Sequence, residues 1–253
     1  MTVRELYRFL DEKIPRTLSC AWDNDGLMVC ADGDRAVRRV LVALDVTAAT
    51  VAHAIEGGYD VIVSHHPMIF KGLCAIHEEN YIADKAMTLI RAGVAVMSFH
   101  TRLDAVEGGV NDTLAALLGL TDVEPFGEEG IGRIGMLSGV PSLADFASRV
   151  KSALNAPAVA FADGGRPVHR VAVLGGSGGD DVRTAREAGA DTYLSGTLGY
   201  HDMTDAPEAG MNLVEAGHFY TEAPVCAVLR DWILAADTTV TCDIYHSANV
   251  AVI

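Results

Sequence analysis

The sequence predicts an α/β fold: a duplicated α/β unit in which each copy is a mainly parallel sheet flanked by helices. Three observations predict it. Short, uncharged, β-branched apolar runs alternate with segments of helical period. Glycines punctuate the passages from helix to strand. Finally, one stretch repeats another at a constant offset of 131 residues. Arg170-Val171-Ala172-Val173 falls on Arg39-Val40-Leu41-Val42, Gly189 on Gly58, Asp191 on Asp60 and Ser195 on Ser64.

The elements follow in order. MTVRELYRFLDEKIP is an amphipathic first helix with Val3, Leu6, Tyr7 and Leu10 on one face. Asp23-Asn24-Asp25-Gly26 is a turn signal, and its short polar side chains could also place an oxygen near an ion. Arg38 to Asp45 reads as a strand, and Thr47 to Glu56 as a helix capped by Thr47 and closed by Gly57-Gly58. Val61-Ile62-Val63 is a buried strand that runs into Ser64, His65 and His66 and is stopped by Pro67. A helix from Asn80 to Ala92 leads through Gly93 to a strand, Val94 to Phe99, which ends in His100-Thr101-Arg102-Leu103-Asp104. A further helix is predicted around Asn111 to Leu118.

Residues 121–134 are acidic and glycine-rich without a clear period, so the boundary between copies is placed there: 1–125 for the first and 126–253 for the second. The second copy reads strand, turn, helix, glycine, strand, serine again, but Gly196 and Thr197 stand where His65 and His66 stood. A strand from Met211 to Val214 precedes His218-Phe219-Tyr220-Thr221-Glu222, which repeats the His-x-x-x-carboxylate spacing of His100 and Asp104. An apolar helix from Pro224 to Leu234 and at least one last strand within 237–253 complete the chain. Gly175 to Gly179 follow a strand and precede a helix. That loop reads as a tight turn or as a backbone cradle for an anion, and without a Walker lysine it is no nucleotide P-loop.

Composition narrows the function. The chain has 253 residues, half of them hydrophobic, and a net charge of −15. No basic cluster is present, which disfavours binding to nucleic acid phosphates. No apolar run approaches the ~18 residues of a membrane span, and the first helix lacks the apolar core of a signal peptide. Five scattered cysteines without a C-x-x-C pattern fit a reducing, cytoplasmic setting.

The chemistry-bearing residues collect at strand ends: His65 and His66, His100 with Asp104, and His218 with Glu222. Ligands bind at the carboxyl ends of strands in open α/β sheets. Adjacent strand residues point to opposite faces, so His65 and His66 reach one ion only if the chain bends; otherwise they serve two ions, or one ion and a substrate. A capped strand end with one solvated histidine is the alternative. Imidazole and carboxylate without sulfur suit zinc, manganese, iron or nickel, and five or six such groups suit two ions sharing a bridging carboxylate.

WDNDGLMV, SHHPMIFKG, FHTRLDAVEGGVND, SGTLGYHDMTDA and GHFYTE resemble the signature segments of the dinuclear-metal-centre family, usually labelled GTP cyclohydrolase I type 2 homologue. The resemblance runs from about Trp22 to the C-terminus. It implies two intertwined α/β units sharing one metal site, and a homohexamer built as a trimer of dimers. It implies two divalent metal ions per chain held by His65, His66, Asp104, His218 and Glu222, with His100 close by as a weak ligand or neighbour. His201, in the Tyr200-His201-Asp202 segment, is a substrate-side candidate. His100 and His201 are the candidate proton shuttles. The label implies hydrolytic opening of the guanine imidazole ring of GTP. The function expected is therefore a metal-dependent hydrolase acting on a nucleotide or related heterocycle, the alternative being a non-catalytic, metal-binding, ring-shaped scaffold or partner-binding protein.

Overall fold

The computed structural model describes residues 1–127, 129–140, 142–248 and 250. They divide into two units: Met1–Leu103 with Cys226–Val250, and Asp104–Val225.

The first unit is built from α1 (Val3–Lys13), β1 (Gly26–Val29), β2 (Arg39–Ala43), α2 (Ala48–Glu56), β3 (Val61–Ser64), α3 (Tyr81–Ala92), β4 (Ala95–Ser98) and the start of α4 (Thr101–Ala105). The second holds α5 (Val110–Leu118), β5 (Thr121–Phe126), β6 (Gly132–Met136), α6 (Leu143–Ala153), β7 (Ala160–Ala162), β8 (Arg170–Ser177), α7 (Val182–Glu187), β9 (Thr192–Thr197), α8 (Tyr200–Glu208), β10 (Asn212–Glu215) and α9 (His218–Glu222). The chain then returns to the first unit in α10 (Val225–Ala236) and β11 (Thr241–Tyr245).

The first sheet has the order β1-β4-β3-β2-β11 and is parallel except for β1 on β4. Thr47 caps α2 through its side chain, as the sequence predicts, and Asn80, expected as the first residue of α3, is its N-cap instead. Leu41, Ile62 and Val96 pack with Val51 and Ala54 of α2 and Ala86 and Leu89 of α3. Val40, Val42, Val61, Val63 and Met97 are buried as well. A strand buried on both faces carries an unbroken apolar run, and each such side chain contributes about 1.5–3 kcal/mol.

The second sheet, β5-β6-β8-β9-β10-β7, is mixed: only β8–β9 and β9–β10 are parallel. Its alternate residues enter two cores. Val171, Val173, Leu194 and Val214 face α5 and α6, whereas Ala172, Leu174, Tyr193 and Leu213 pack with Ala185 and Ala206 of α7 and α8.

Position 125/126 falls at the end of β5, inside the second unit. Thr121–Phe126 and Gly132–Met136 pair antiparallel inside the second unit, and Gly127 and Gly130 between them have φ +92° and +64°. The β5 side chains up to Pro125 are all exposed, so the strand carries no alternation to read. Meanwhile β11 pairs in parallel with β2, placing Thr241–Tyr245 in the first sheet.

The duplication is physical as well as textual. Asp60 accepts from the backbone N–H groups of Arg38 and Arg39 at 2.8 and 3.1 Å. Asp191 accepts from those of His169 and Arg170 at 3.1 and 2.7 Å. In both units this carboxylate clamps the start of one strand to the start of the next. The later strands, however, correspond with a shorter offset. Ala95 pairs with Val61 as Asn212 pairs with Thr192, so β4 and β10 match at 117 residues. The two His-x-x-x-carboxylate segments are therefore one residue out of register: His218 opens α9, whereas His100 precedes α4.

Candidate metal centre

In the first unit, strand register creates the site. Ala43, Ser64 and Ser98 are paired side by side on β2, β3 and β4. Asp45, His66 and His100 each lie two residues beyond these positions, at one edge of the sheet. The chain bends at His65 and His66 as soon as β3 ends. The Ser64 hydroxyl donates to the His66 carbonyl at 2.9 Å, which holds the bend. Successive histidines therefore turn to one place: ring centroids lie 4.8 Å apart for His65–His66 and 5.3 Å for His65–His100. One nitrogen from each of His65, His66 and His100 lies within 4.8 Å of the others. The bend that two adjacent histidines need to act together is present.

Each ring is oriented from behind. His65 is fully buried and its Nδ1 lies 3.0 Å from the Phe99 carbonyl. His66 Nδ1 lies 2.7 Å from Asp45, and His100 Nδ1 lies 2.9 Å from Asp23. A carbonyl or carboxylate oxygen can only accept, so Nδ1 donates in all three, which makes Nε2 the lone-pair nitrogen of the neutral ring. Burial pushes the Asp23 carboxyl upward. Hydrogen bonds from His100 and Thr101 outweigh it and hold the pKa at about 2. The turn itself lies just before the Asp23 to Gly26 segment, at Ala21-Trp22, closed by the Asp23 N–H on the Cys20 carbonyl, and the carboxylates of the segment bind protein groups. Asp23 holds His100 and Thr101, and Asp25 binds the buried Arg102 at 2.8 Å.

The second unit reaches a comparable donor set differently. The positions matching Asp45, His66 and His100 in its sheet are Gly176, Thr197 and Gly217. Glycine lets α9 come against the strand ends. A Cβ on Gly176, whose φ is +72°, would run into Glu222 Oε1 and stand 3.2 Å from His218 Nε2. A Cβ on Gly196 would meet the His218 Cα at 2.7 Å. Gly175 and Gly176 belong to β8, and their bareness makes room for α9 rather than forming a turn or an anion cradle. One helical turn then sets His218 Nε2 3.1 Å from Glu222 Oε2, and Glu222 is buried. Oxygens of Asp104 and Glu222 lie within 4.8 Å of each other.

His201 is exposed on α8 with its ring against Tyr200, and it joins none of the donor groups found among the described residues. Asp45 and Asp23, which orient His66 and His100, were not singled out as partners by the sequence. Asp45 is found only from strand register, since 21 residues separate it from His66. No helix among the described residues is long and apolar enough to cross a membrane.

Comparison with known proteins agrees with this architecture. A Clostridium perfringens protein named GTP cyclohydrolase 1 type 2 homolog is 32% identical over 232 residues, covering 89% of this chain and 88% of its own. One of the same name from Nostoc sp. is 36% identical over 195 residues, covering 74% of each. The crystal structure of Staphylococcus aureus protein SA1388 matches with a TM-score of 0.88 at 27% identity, covering 100% of this chain and 99% of that one. The model of the Duf34/NIF3 (NGG1p interacting factor 3) family matches residues 1–249, and the chain belongs to that family.

Proposed function

We propose that this protein is a binuclear metal-dependent hydrolase acting on a nucleotide or related heterocycle. The observation that carries the reading is the common wiring of three strand-end imidazoles, each held at Nδ1 by an oxygen, so that Nε2 is the nitrogen that would coordinate in His65 and His66 and accept a proton in His100. A structural histidine needs no such uniformity. The donor chemistry fits divalent zinc, manganese, iron or nickel, because it is imidazole and carboxylate with no thiolate. His65, His66, Asp104, His218 and Glu222 are the five groups that would hold the two ions. The family resemblance supports joining the two sets.

Bound there, divalent cations would supply an acidified water near neutral pH and polarisation of an electrophilic carbon. This chain's residues orient and relay. Asp23 keeps His100 in the tautomer that can accept a proton at Nε2 and return it to a leaving nitrogen. His201 is the second candidate for that relay. Asp45 does for His66 what Asp23 does for His100. The same reading assigns a homohexameric ring, which sedimentation would measure.

The test pairs metal content with formate release from GTP. Asp104→Ala and Glu222→Ala are expected to lose metal and turnover together. Full turnover in a metal-free Asp104→Ala/Glu222→Ala double variant would overturn the reading. One observation favours the competing scaffold role: the glycines of β8 are consumed by packing against α9. A scaffold would retain its ring and its metal and consume no nucleotide.

A further inference from the structure

Two large aromatic rings stand exposed beside His100. Trp22 is 60% exposed and Phe70 is 43% exposed. Their centroids lie 6.1 Å apart at 73°, edge against face. Each also meets the His100 ring nearly at right angles, at 6.2 Å for Trp22 and 5.9 Å for Phe70. In edge-to-face groups a ring face stays open.

These rings are held in place. Trp22 precedes Asp23, whose carboxylate is bound by His100 and Thr101. The Cys20 N–H donates to the Thr101 hydroxyl at 3.0 Å, and the Asp23 N–H returns to the Cys20 carbonyl at 3.0 Å. Asn24 Nδ2 donates to the carbonyl of Ile69, the residue before Phe70. The two loops are thus tied to each other and to α4. Apolar surface that is both exposed and preorganised indicates a ligand, since ordering it gives the folded chain nothing. Phe70 also borders a cleft of about 530 Å³ lined by Asp45, His66, Pro67, Tyr81 and Lys85, a volume typical of small-molecule sites.

We infer that Trp22 and Phe70 form a stacking shelf for the planar heteroaromatic ring of the ligand, with the rest of that ligand in the cleft beside His66. The inference rests on the proposed function for the direction of the ligand, but the shelf binds through ring faces and needs no metal. Base–aromatic stacking tolerates many heterocycles, so the class it selects is planar nitrogen heteroaromatics rather than a single base.

The test uses the full chain carrying Trp232→Phe, so that Trp22 is the sole indole, after metal removal with a chelator. Guanosine is expected to quench Trp22 fluorescence saturably, and tripolyphosphate is not. Adding Phe70→Ala should weaken guanosine roughly 5- to 100-fold, the range that stacking contributions span. Phe70→Leu, which keeps apolar bulk and guards against a folding defect, should weaken it too. The inference is overturned by an absence of guanosine quenching, by equal quenching with tripolyphosphate, or by an unchanged midpoint in Phe70→Ala. It is also overturned if Trp22→Ala changes the sedimentation of the protein while calorimetric guanosine affinity stays the same, since the rings would then meet a second copy. Metal content is measured on untreated protein, so failure of the metal reading and failure of the shelf are separate results.

Discussion

Asp23 lies 2.9 Å from Nδ1 of His100 through one oxygen, and takes the backbone N–H and hydroxyl of Thr101 through the other at 3.0 and 2.7 Å. The carboxylate has no exposed side-chain surface and, with its pKa at about 2, is an anion at any working pH. Asp23→Ala frees the His100 ring to take either tautomer. Removing such an orienting partner costs about 10–100-fold in metal affinity or turnover. A loss in that range, with unaltered far-ultraviolet circular dichroism, is expected; a loss below twofold would separate Asp23 from the site.

Gly176 tests the idea that the second unit makes room for α9. Gly176→Ala places a methyl at φ +72° against Glu222. The left-handed backbone alone costs about 1–2 kcal/mol for an L-residue. Chemical denaturation should show at least that loss, and metal content should fall with it. Gly210, at φ +73° with open space around its Cβ, is the control: Gly210→Ala should lose stability without losing metal.

Arg102 is fully buried, with Nε 2.8 Å from Asp25 and Nη1 2.6 Å from Asp11 and 2.9 Å from the Ile14 carbonyl. Arg102→Ala leaves buried Asp25 without its main counter-charge. A loss of about 3–5 kcal/mol is expected by urea denaturation. Lys at this position should recover only part, because a single ammonium cannot reproduce the guanidinium fork.

Asp60 supplies a pH signature. Burial raises its pKa, but the N–H groups of Arg38 and Arg39 and the Arg35 guanidinium outweigh that and hold it below the ordinary carboxylate value. Its stabilisation is therefore complete above the unfolded pKa of about 3.9 and is lost as the pH falls below it. The difference in melting temperature between wild type and Asp60→Asn should be largest near pH 6–7 and shrink below about pH 4. A difference that grows on acidification would contradict this account.

The strands and helices of the β2-α2-β3 unit were legible because caps, glycines and unbroken β-branched runs are local signals. The repeat was legible because Asp60 and Asp191 clamp equivalent strands and cannot move. The hairpin of β5 and β6 was hidden, since an exposed strand shows no burial pattern. The place of β11 beside β2 depends on a pairing some 200 residues long-range, of which nothing local speaks. The donor residues were readable as types at strand ends. Asp45 became visible only once register had set three strand ends side by side, and Asp23 only through its hydrogen bonds to His100 and Thr101. The glycines of β8 were open to two readings because bareness serves a turn, an anion or a neighbouring helix equally.

Metal content per chain, by elemental analysis of protein purified without a histidine tag, tests the central claim most directly. The account predicts about two ions per chain, the number expected of a shared binuclear centre, and a sharp fall in Glu222→Ala. Less than about half an ion per chain, unchanged in Glu222→Ala and after added zinc or manganese, would contradict it.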